Sequence, residues 1–236
     1  VIVLDRPNPI RGDIIEGPIL NLDYQTFVGY YPIPIRYGGT VGDLGNKIIQ
    51  EKWISPLPEL EIIEMEGWKK NLWFDETDLP WVKPSPNIPD LETAIIYPGM
   101  CIIEGTNLSE GRGTLNPFKQ IGAPWVDGKI LSQKLNKYKL PGVVFKPALF
   151  TPISIPGMST YPKFQDEKCS GIEIVIIERN NYNSVNTGIV TLFTLYSMYS
   201  ENITFKEKHL NRLWGSDQLL KEIKRGTLPL DFIEFY

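Results

Sequence analysis

Apolar residues come in short bursts along this chain, and the spacing within a burst changes from region to region. Val1-Ile2-Val3-Leu4 is continuously apolar and ends abruptly in Asp5-Arg6-Pro7-Asn8-Pro9. A buried parallel strand delivers polar residues in this way at its carboxyl end, where α/β proteins place their sites. A second apolar segment, Tyr31 to Ile35, leads into Arg36-Tyr37-Gly38-Gly39-Thr40. Thr40 and Asp43 have the spacing of a capping box, and Val41, Leu44, Ile48 and Ile49 then fall on one helical face. Leu60 to Met65 reads as another strand. Strand, helix, strand predicts the end of a doubly wound, Rossmann-like sheet whose earlier strands precede residue 1.

Between Glu66 and Pro89 no period holds. Trp68, Trp73 and Trp81 lie among Lys, Asp and Pro, and five prolines from Pro80 to Pro98 exclude a long helix before about Asp90. Such a stretch is expected to be a long functional loop or a crossing between domains. Ala94 to Ile103 is apolar again. A second unit follows, with strands at Gly142 to Phe150 and Gly171 to Ile177 and a helix from Ser184 to Tyr199. In that helix Val185, Ile189, Leu192, Tyr196 and Tyr199 recur every three or four residues, the period of a packed helical face. The predicted class is α/β: the end of a Rossmann-like sheet with cleft loops over 1–125, then a smaller α/β or α+β domain over 126–236.

Composition narrows the function. With 236 residues, 42% hydrophobic and 22% charged, the chain is long enough to bury a proper core. A net charge of -4 gives no global attraction to polyanions, so no nucleic-acid partner is expected. No run reaches the roughly 18 apolar residues of a membrane helix. Cys101 and Cys169 match no metal spacing and read as separately buried thiols. His209, in a charged helical stretch, is the sole histidine, which argues against a histidine-built zinc site or a Ser-His-Asp triad within this sequence. No metal and no cofactor is expected.

The stretch 104–118, EGTNLSEGRGTLNPF, concentrates the polar chemistry. It is not a phosphate loop: five residues separate Gly105 from Gly111, and Arg112-Gly113 stands where Lys-Ser/Thr is needed. Glycoside cleavage suits the residue types better, because it needs carboxyl groups beside hydrogen-bonding Asn, Asp and Arg. Asp5, Arg6, Asn8, Glu16, Asn87, Glu104, Asn107, Glu110 and Arg112 all sit at element ends or in Pro/Gly-rich loops. The plain alternative makes Glu104 a helix-terminal charge and Glu110 a salt-bridge partner of Arg112.

VIVLDRPNPIRGDIIEGPIL, PSPNIPDLETAIIYPG, EGTNLSEGRGTLNPFKQIGAPW and LPGVVFKPALFTP, in this order, resemble the bacterial exo-β-N-acetylmuramidase family of the NamZ or YbbC type. The resemblance implies a Rossmann-like catalytic domain, a smaller C-terminal domain, a cleft between them, and release of N-acetylmuramic acid from the non-reducing ends of peptidoglycan fragments. It implies a secreted, periplasmic or cell-envelope location. It also implies a Pro-Glu-His-Gly motif upstream of residue 1, whose glutamate is the principal acid candidate, so the missing N-terminal half of the same protein is an expected partner. Family members usually carry His where this sequence has Tyr37, and their final helix extends past Phe235-Tyr236. Tyrosine titrates near 10, which puts a proton-transfer role there in doubt.

On this reading Arg6, Arg36 and Arg112 are candidates to grip the lactyl carboxylate of N-acetylmuramic acid, since a planar guanidinium pairs bidentately with it. Glu110 is expected to face the cleft and assist catalysis, and Glu104 to anchor the loop through backbone amides. Asp5, Asn8, Tyr37, Asn87 and Asn107 complete the expected sugar contacts, and the Trp68 to Trp81 segment offers a face for stacking. The rival expectation is a non-catalytic module that binds muramyl sugar.

Overall fold

The computed structural model describes residues 1–234, so Phe235 and Tyr236 lie outside it. Four strands and one α-helix precede residue 64: β1 (Ile2–Leu4), β2 (Glu16–Ile19), β3 (Pro34–Arg36), α1 (Val41–Gln50) and β4 (Glu61–Ile63). β1 and β4 pair in parallel, with Val3 opposite Ile62. α1 lies on the connection between them, as a βαβ unit requires. Its start is built from polar groups. The Asp43 amide donates to Thr40 Oγ1 at 3.1 Å and the Thr40 amide donates to Asp43 Oδ2 at 2.8 Å, forming the expected capping box. Asp5, just past β1, accepts from the Gly42 amide at 2.9 Å and from Thr40 Oγ1 at 2.6 Å. Gly42 lets α1 approach this closely, because a methyl group there would lie 2.9 Å from the side chains of Asp5 and Ile62.

Three expectations for this region change. β1 is a parallel strand, but Val1, Ile2 and Leu4 are exposed instead of buried. Val41 is also exposed, at the solvent side of α1. The strand expected near Tyr31 to Ile35 shifts to Pro34–Arg36 and pairs antiparallel with β2, outside the parallel sheet. β2 escaped notice because Gly17 and Pro18 disguise it as a turn.

The second unit begins at α2 (Leu91–Met100), where Asp90 Oδ1 accepts from the Thr93 amide at 2.7 Å. A short 3₁₀ turn over Cys101–Gly105 continues it. β5 (Gln120–Ala123), α3 (Gly128–Asn136), β6 (Val143–Phe150), β7 (Cys169–Ile176), α4 (Ser184–Tyr199), α5 (Glu207–Trp214), α6 (Gln218–Arg225) and α7 (Pro229–Ile233) follow. The sheet runs β5-β7-β6, antiparallel throughout. A division at residue 125 would cut β5 away from this sheet, so the unit closes on an earlier boundary, before α2. Ile121, Phe145, Ile172 and Ile174 of the sheet, Leu131 and Leu135 of α3, and Val190 and Leu192 of α4 belong to one core.

α2 meets α4 backbone to backbone. A methyl group on Gly99 would lie 1.8 Å from the Ser184 carbonyl oxygen, and one on Gly188 would lie 2.3 Å from the Gly99 carbonyl oxygen. Ser184 Oγ accepts from the Gly99 amide and donates to the Ile96 carbonyl, both at 2.8 Å. Cys101 and Cys169 are free, separately buried thiols. Among the described residues no helix is long and apolar enough to cross a membrane.

Candidate functional site

A cavity of about 440 Å³ lies where the two units meet. The loop after β1 supplies Arg6 and Asn8, the β3 to α1 corner Arg36 and Tyr37, the proline-rich segment Asn87, α2 Tyr97, and the 104–118 stretch Arg112 and Phe118. Six of the ten expected site residues thus share one cleft, although they come from four separate stretches of chain.

Their roles differ. Asn8 holds its own loop: Nδ2 donates to the Gly39 carbonyl at 2.8 Å, and Oδ1 accepts from the Ile10 amide at 3.1 Å. Asn87 donates to the Met158 carbonyl at 2.8 Å, while its buried Oδ1 has no hydrogen-bond partner among the described residues. Arg6 is exposed on the cavity wall with no ion-pair partner among them. Tyr37 is half-buried, and burial together with the charges of Asp5 and Asp43 raises its hydroxyl pKa. It is therefore a neutral hydrogen-bond donor at physiological pH.

Arg36 departs from expectation. Its two terminal nitrogens donate to Glu16 and to the Ile10 carbonyl, and both members of the Glu16–Arg36 pair are buried. Burial pulls the Arg36 pKa down while Glu16 pushes back. The second Glu16 oxygen accepts from the Val185 amide at 3.0 Å, at the start of α4. Arg36 is thus committed to joining the β2–β3 hairpin to the second unit, and it does not offer a free fork to a ligand carboxylate.

Arg112 is presented by its neighbours. Gly111 and Gly113 have φ of +75° and +80°, a left-handed backbone that turns the chain sharply on both sides of the arginine. A methyl group would lie 2.7 Å from the Gln120 carbonyl oxygen at Gly111 and 2.6 Å from that of Ile153 at Gly113. The Arg112 guanidinium sits over the Phe118 ring at 5.3 Å and donates to Glu104 Oε2 at 3.0 Å. Its Nε lies 3.6 Å from Glu110 Oε1.

The two glutamates therefore stand behind the arginine and do not line the cavity. Glu110 is buried, and its Oε2 forms an ion pair with Lys163 Nζ at 2.9 Å. Lys163 also donates to the Leu108 carbonyl at 2.9 Å and to that of Ile103 at 3.3 Å, pinning the loop to the 3₁₀ turn. Burial raises the Glu104 pKa against the pull of Arg112, and burial lowers that of Lys163 against the pull of Glu110. Glu104 thus anchors the loop through Arg112 instead of backbone amides, and Glu110 turns toward Lys163 and not into the cleft. The chain folds back so that both glutamates, six residues apart, reach one guanidinium. His209 lies nearby, and burial with the charges of Lys206, Lys163, Arg212 and Arg112 lowers its pKa.

Two expected residues lie elsewhere. Asn107 ties the loop to the chain after α4, donating to the Asn202 carbonyl at 2.8 Å and accepting from the Thr204 amide at 3.0 Å. Asp5 is spent on the start of α1. Sequence reasoning missed Phe118, Tyr97 and Lys163. Phe118 and Tyr97 pack edge to face at 4.8 Å and form the apolar floor under Arg112. Phe118 ends the polar stretch and Tyr97 shortly precedes it, which was their only sequence signal. Among the described residues no group of three or more His, Cys, Asp or Glu is placed to hold a metal ion.

The chain is similar to known proteins along its whole length. Residues 1–92 match the family model "Exo-beta-N-acetylmuramidase NamZ, N-terminal" and residues 95–235 match the corresponding C-terminal model. The sequence is 40% identical over 235 residues to peptidoglycan beta-N-acetylmuramidase NamZ of Bacillus subtilis (strain 168), covering 99% of this chain and 55% of that protein. The chain thus spans about half the length of the curated relative it matches. Two crystal structures of DUF1343 family proteins from Bacteroides fragilis NCTC 9343 superpose on it. One has a TM-score of 0.87 at 29% identity, covering 95% of this chain and 58% of the other. The second has a TM-score of 0.77 at 28% identity, covering 100% and 61%. With both family models matched in order and the cleft residues gathered at their junction, the chain belongs to the exo-β-N-acetylmuramidase NamZ family.

Proposed function

We propose that this chain carries the muramyl-recognition cleft of a glycosidase that releases N-acetylmuramic acid from the non-reducing ends of peptidoglycan fragments. The observation that carries this reading is Arg112, turned into place between Gly111 and Gly113 and held by Glu104 and Phe118 while lining the cavity with the unpaired Arg6. Two guanidinium groups lining one cavity suit the lactyl carboxylate, and the Asn87 Oδ1 and the neutral Tyr37 hydroxyl suit the amide and hydroxyl groups of the sugar. Glu104 and Glu110 are ion-paired away from the cavity, which disfavours either as the acid that protonates the leaving oxygen. The family resemblance assigns that step to the glutamate of the Pro-Glu-His-Gly motif. A peptidoglycan substrate supports a secreted, periplasmic or cell-envelope location.

The test is binding and turnover by the full-length protein. Arg112→Ala is expected to weaken N-acetylmuramic acid at least about tenfold, or 1.4 kcal/mol, and to leave N-acetylglucosamine nearly unchanged. Equal loss for both sugars, measured by calorimetry in a normally folded variant, would overturn the assignment.

A further inference from the structure

Arg6, Pro7, Pro9 and Pro84 line the cleft on one side and a second, larger recess of about 870 Å³ on the other. The recess is built by the irregular segment that follows β4. Its walls carry Trp68, Phe74 and Trp81, and Glu66 and Asp78 also line it. The segment holds only a short 3₁₀ turn, Phe74–Glu76, but is fixed in place. The Gly12 amide donates to the Lys70 carbonyl at 2.7 Å, and the Phe74 amide to the Pro9 carbonyl at 3.2 Å. Trp81 meets Phe74 edge to face at 5.2 Å, and a methyl group on Gly12 would lie 3.1 Å from the Trp68 ring.

We propose that this recess holds the neutral N-acetylhexosamine ring that follows the muramyl residue in the substrate. The inference rests on the muramyl reading of the adjoining cleft and deepens it. The charge on the two sides of the shared wall differs, although Arg6 borders both. Beyond the shared Arg6, the cleft side adds Arg112. Glu66 and Asp78 on the recess side are exposed and have no ion-pair partner among the described residues. Of the other acids there, Asp5 is occupied at α1, and Glu76 pairs with Arg179 at 3.3 Å and accepts from the Trp73 amide at 2.8 Å. With Arg6 the one cation lining the recess among the described residues and Glu66 and Asp78 both free, the balance disfavours an anionic sugar on this side. A neutral ring is not disfavoured: its hydroxyl and amide groups donate to the free carboxylates, and its apolar face packs on indole. The two chemistries side by side impose a direction on the glycan, with the carboxylate-bearing sugar in the cleft and the neutral one beyond it.

The experiment compares two ligands on the full-length protein by calorimetry: N-acetylmuramic acid, and the disaccharide of N-acetylmuramic acid β-1,4-linked to N-acetylglucosamine, using a turnover-deficient background for the latter. Trp68→Ala is expected to weaken the disaccharide about tenfold and N-acetylmuramic acid less than about twofold. The surface double variant Glu66→Gln with Asp78→Asn, which leaves the packing intact, is expected to weaken the disaccharide about threefold and again spare the monosaccharide. Unchanged disaccharide affinity in the double variant, or equal weakening of both ligands, overturns the recess while leaving the cleft assignment standing. Tighter binding of an amine-bearing stem peptide than of the disaccharide, lost in the double variant, overturns it in favour of a peptide site. Failure of the wild-type protein to bind N-acetylmuramic acid at all removes the muramyl reading and this inference with it.

Discussion

Residues 1–90 bury only Leu20, Trp73 and Ile88 among their large apolar side chains, whereas residues 91–234 bury a continuous set from Ile95 to Phe232. The two regions are held together by different forces. In the second, sheet and helices share one apolar core and two helices touch at glycines. In the first, short strands are stitched by the capping box at Thr40, by Asp5 at the start of α1, and by the Glu16–Arg36 pair. Hydrophobic burial is non-directional, while hydrogen bonds and ion pairs demand geometry. A region organised by the latter spends its polar groups on structure. That explains why so many of its polar residues looked functional in sequence and why several, Asp5 and Arg36 among them, are structural.

The contrast can be broken at its strongest point first. Arg36→Met leaves Glu16 buried without its partner and is expected to cost about 3–5 kcal/mol in chemical denaturation. Hydrogen exchange should show the loss concentrated in β2, β3 and the first turn of α4. A cost below about 1 kcal/mol would mean that the hairpin docks by apolar contact after all. Gly99→Ala is expected to be next, at about 1–3 kcal/mol, because the added methyl forces α2 off α4. Here the whole second unit should lose melting temperature together. A change confined to α2 would deny it a single cooperative core.

Asp43 gives a smaller and pH-dependent effect. Burial pushes its pKa up, but the Thr40 amide and Lys70 outweigh burial and hold it below the usual carboxylate range. The folded state therefore binds fewer protons than the unfolded chain across that gap. The stabilisation is complete above about pH 4 and is lost as pH falls through the folded value. Asp43→Asn should lower the melting temperature at neutral pH, and its gap to the wild type should close on acidification. A gap independent of pH would assign the effect to cap geometry alone. The smallest effect is expected at Phe27, fully exposed at the tip of the loop between β2 and β3, where Phe27→Ser should change stability by less than about 0.5 kcal/mol. A larger loss would reveal that the first region has an apolar organisation of its own.

What was legible in sequence was local. The bounds of α4, the capping box at Thr40 and the strands β6 and β7 follow from periodicity and caps, which act over a few residues. The pairing of β2 with β3 does not, because both are short and carry proline. The exposure of β1 was hidden as well, since a run of β-branched residues looks the same whether or not its faces are covered. At the site, the residue types and the loop carrying Arg112 were readable. The inward turn of Glu110 was not, because it depends on Lys163, which arrives from a distant loop and belongs to no pattern shared with the 104–118 stretch.

The glycine contact between α2 and α4 has a mechanical consequence for the cleft. Ala94, Tyr97 and Pro98 of α2 form one of its walls, and directly behind that wall the two backbones touch, with no layer of side chains that could compress. That wall is a fixed stop. Any adjustment of the cleft to a ligand is therefore expected in the segments at Arg6 to Ile10 and Pro84 to Ile88 and not at α2.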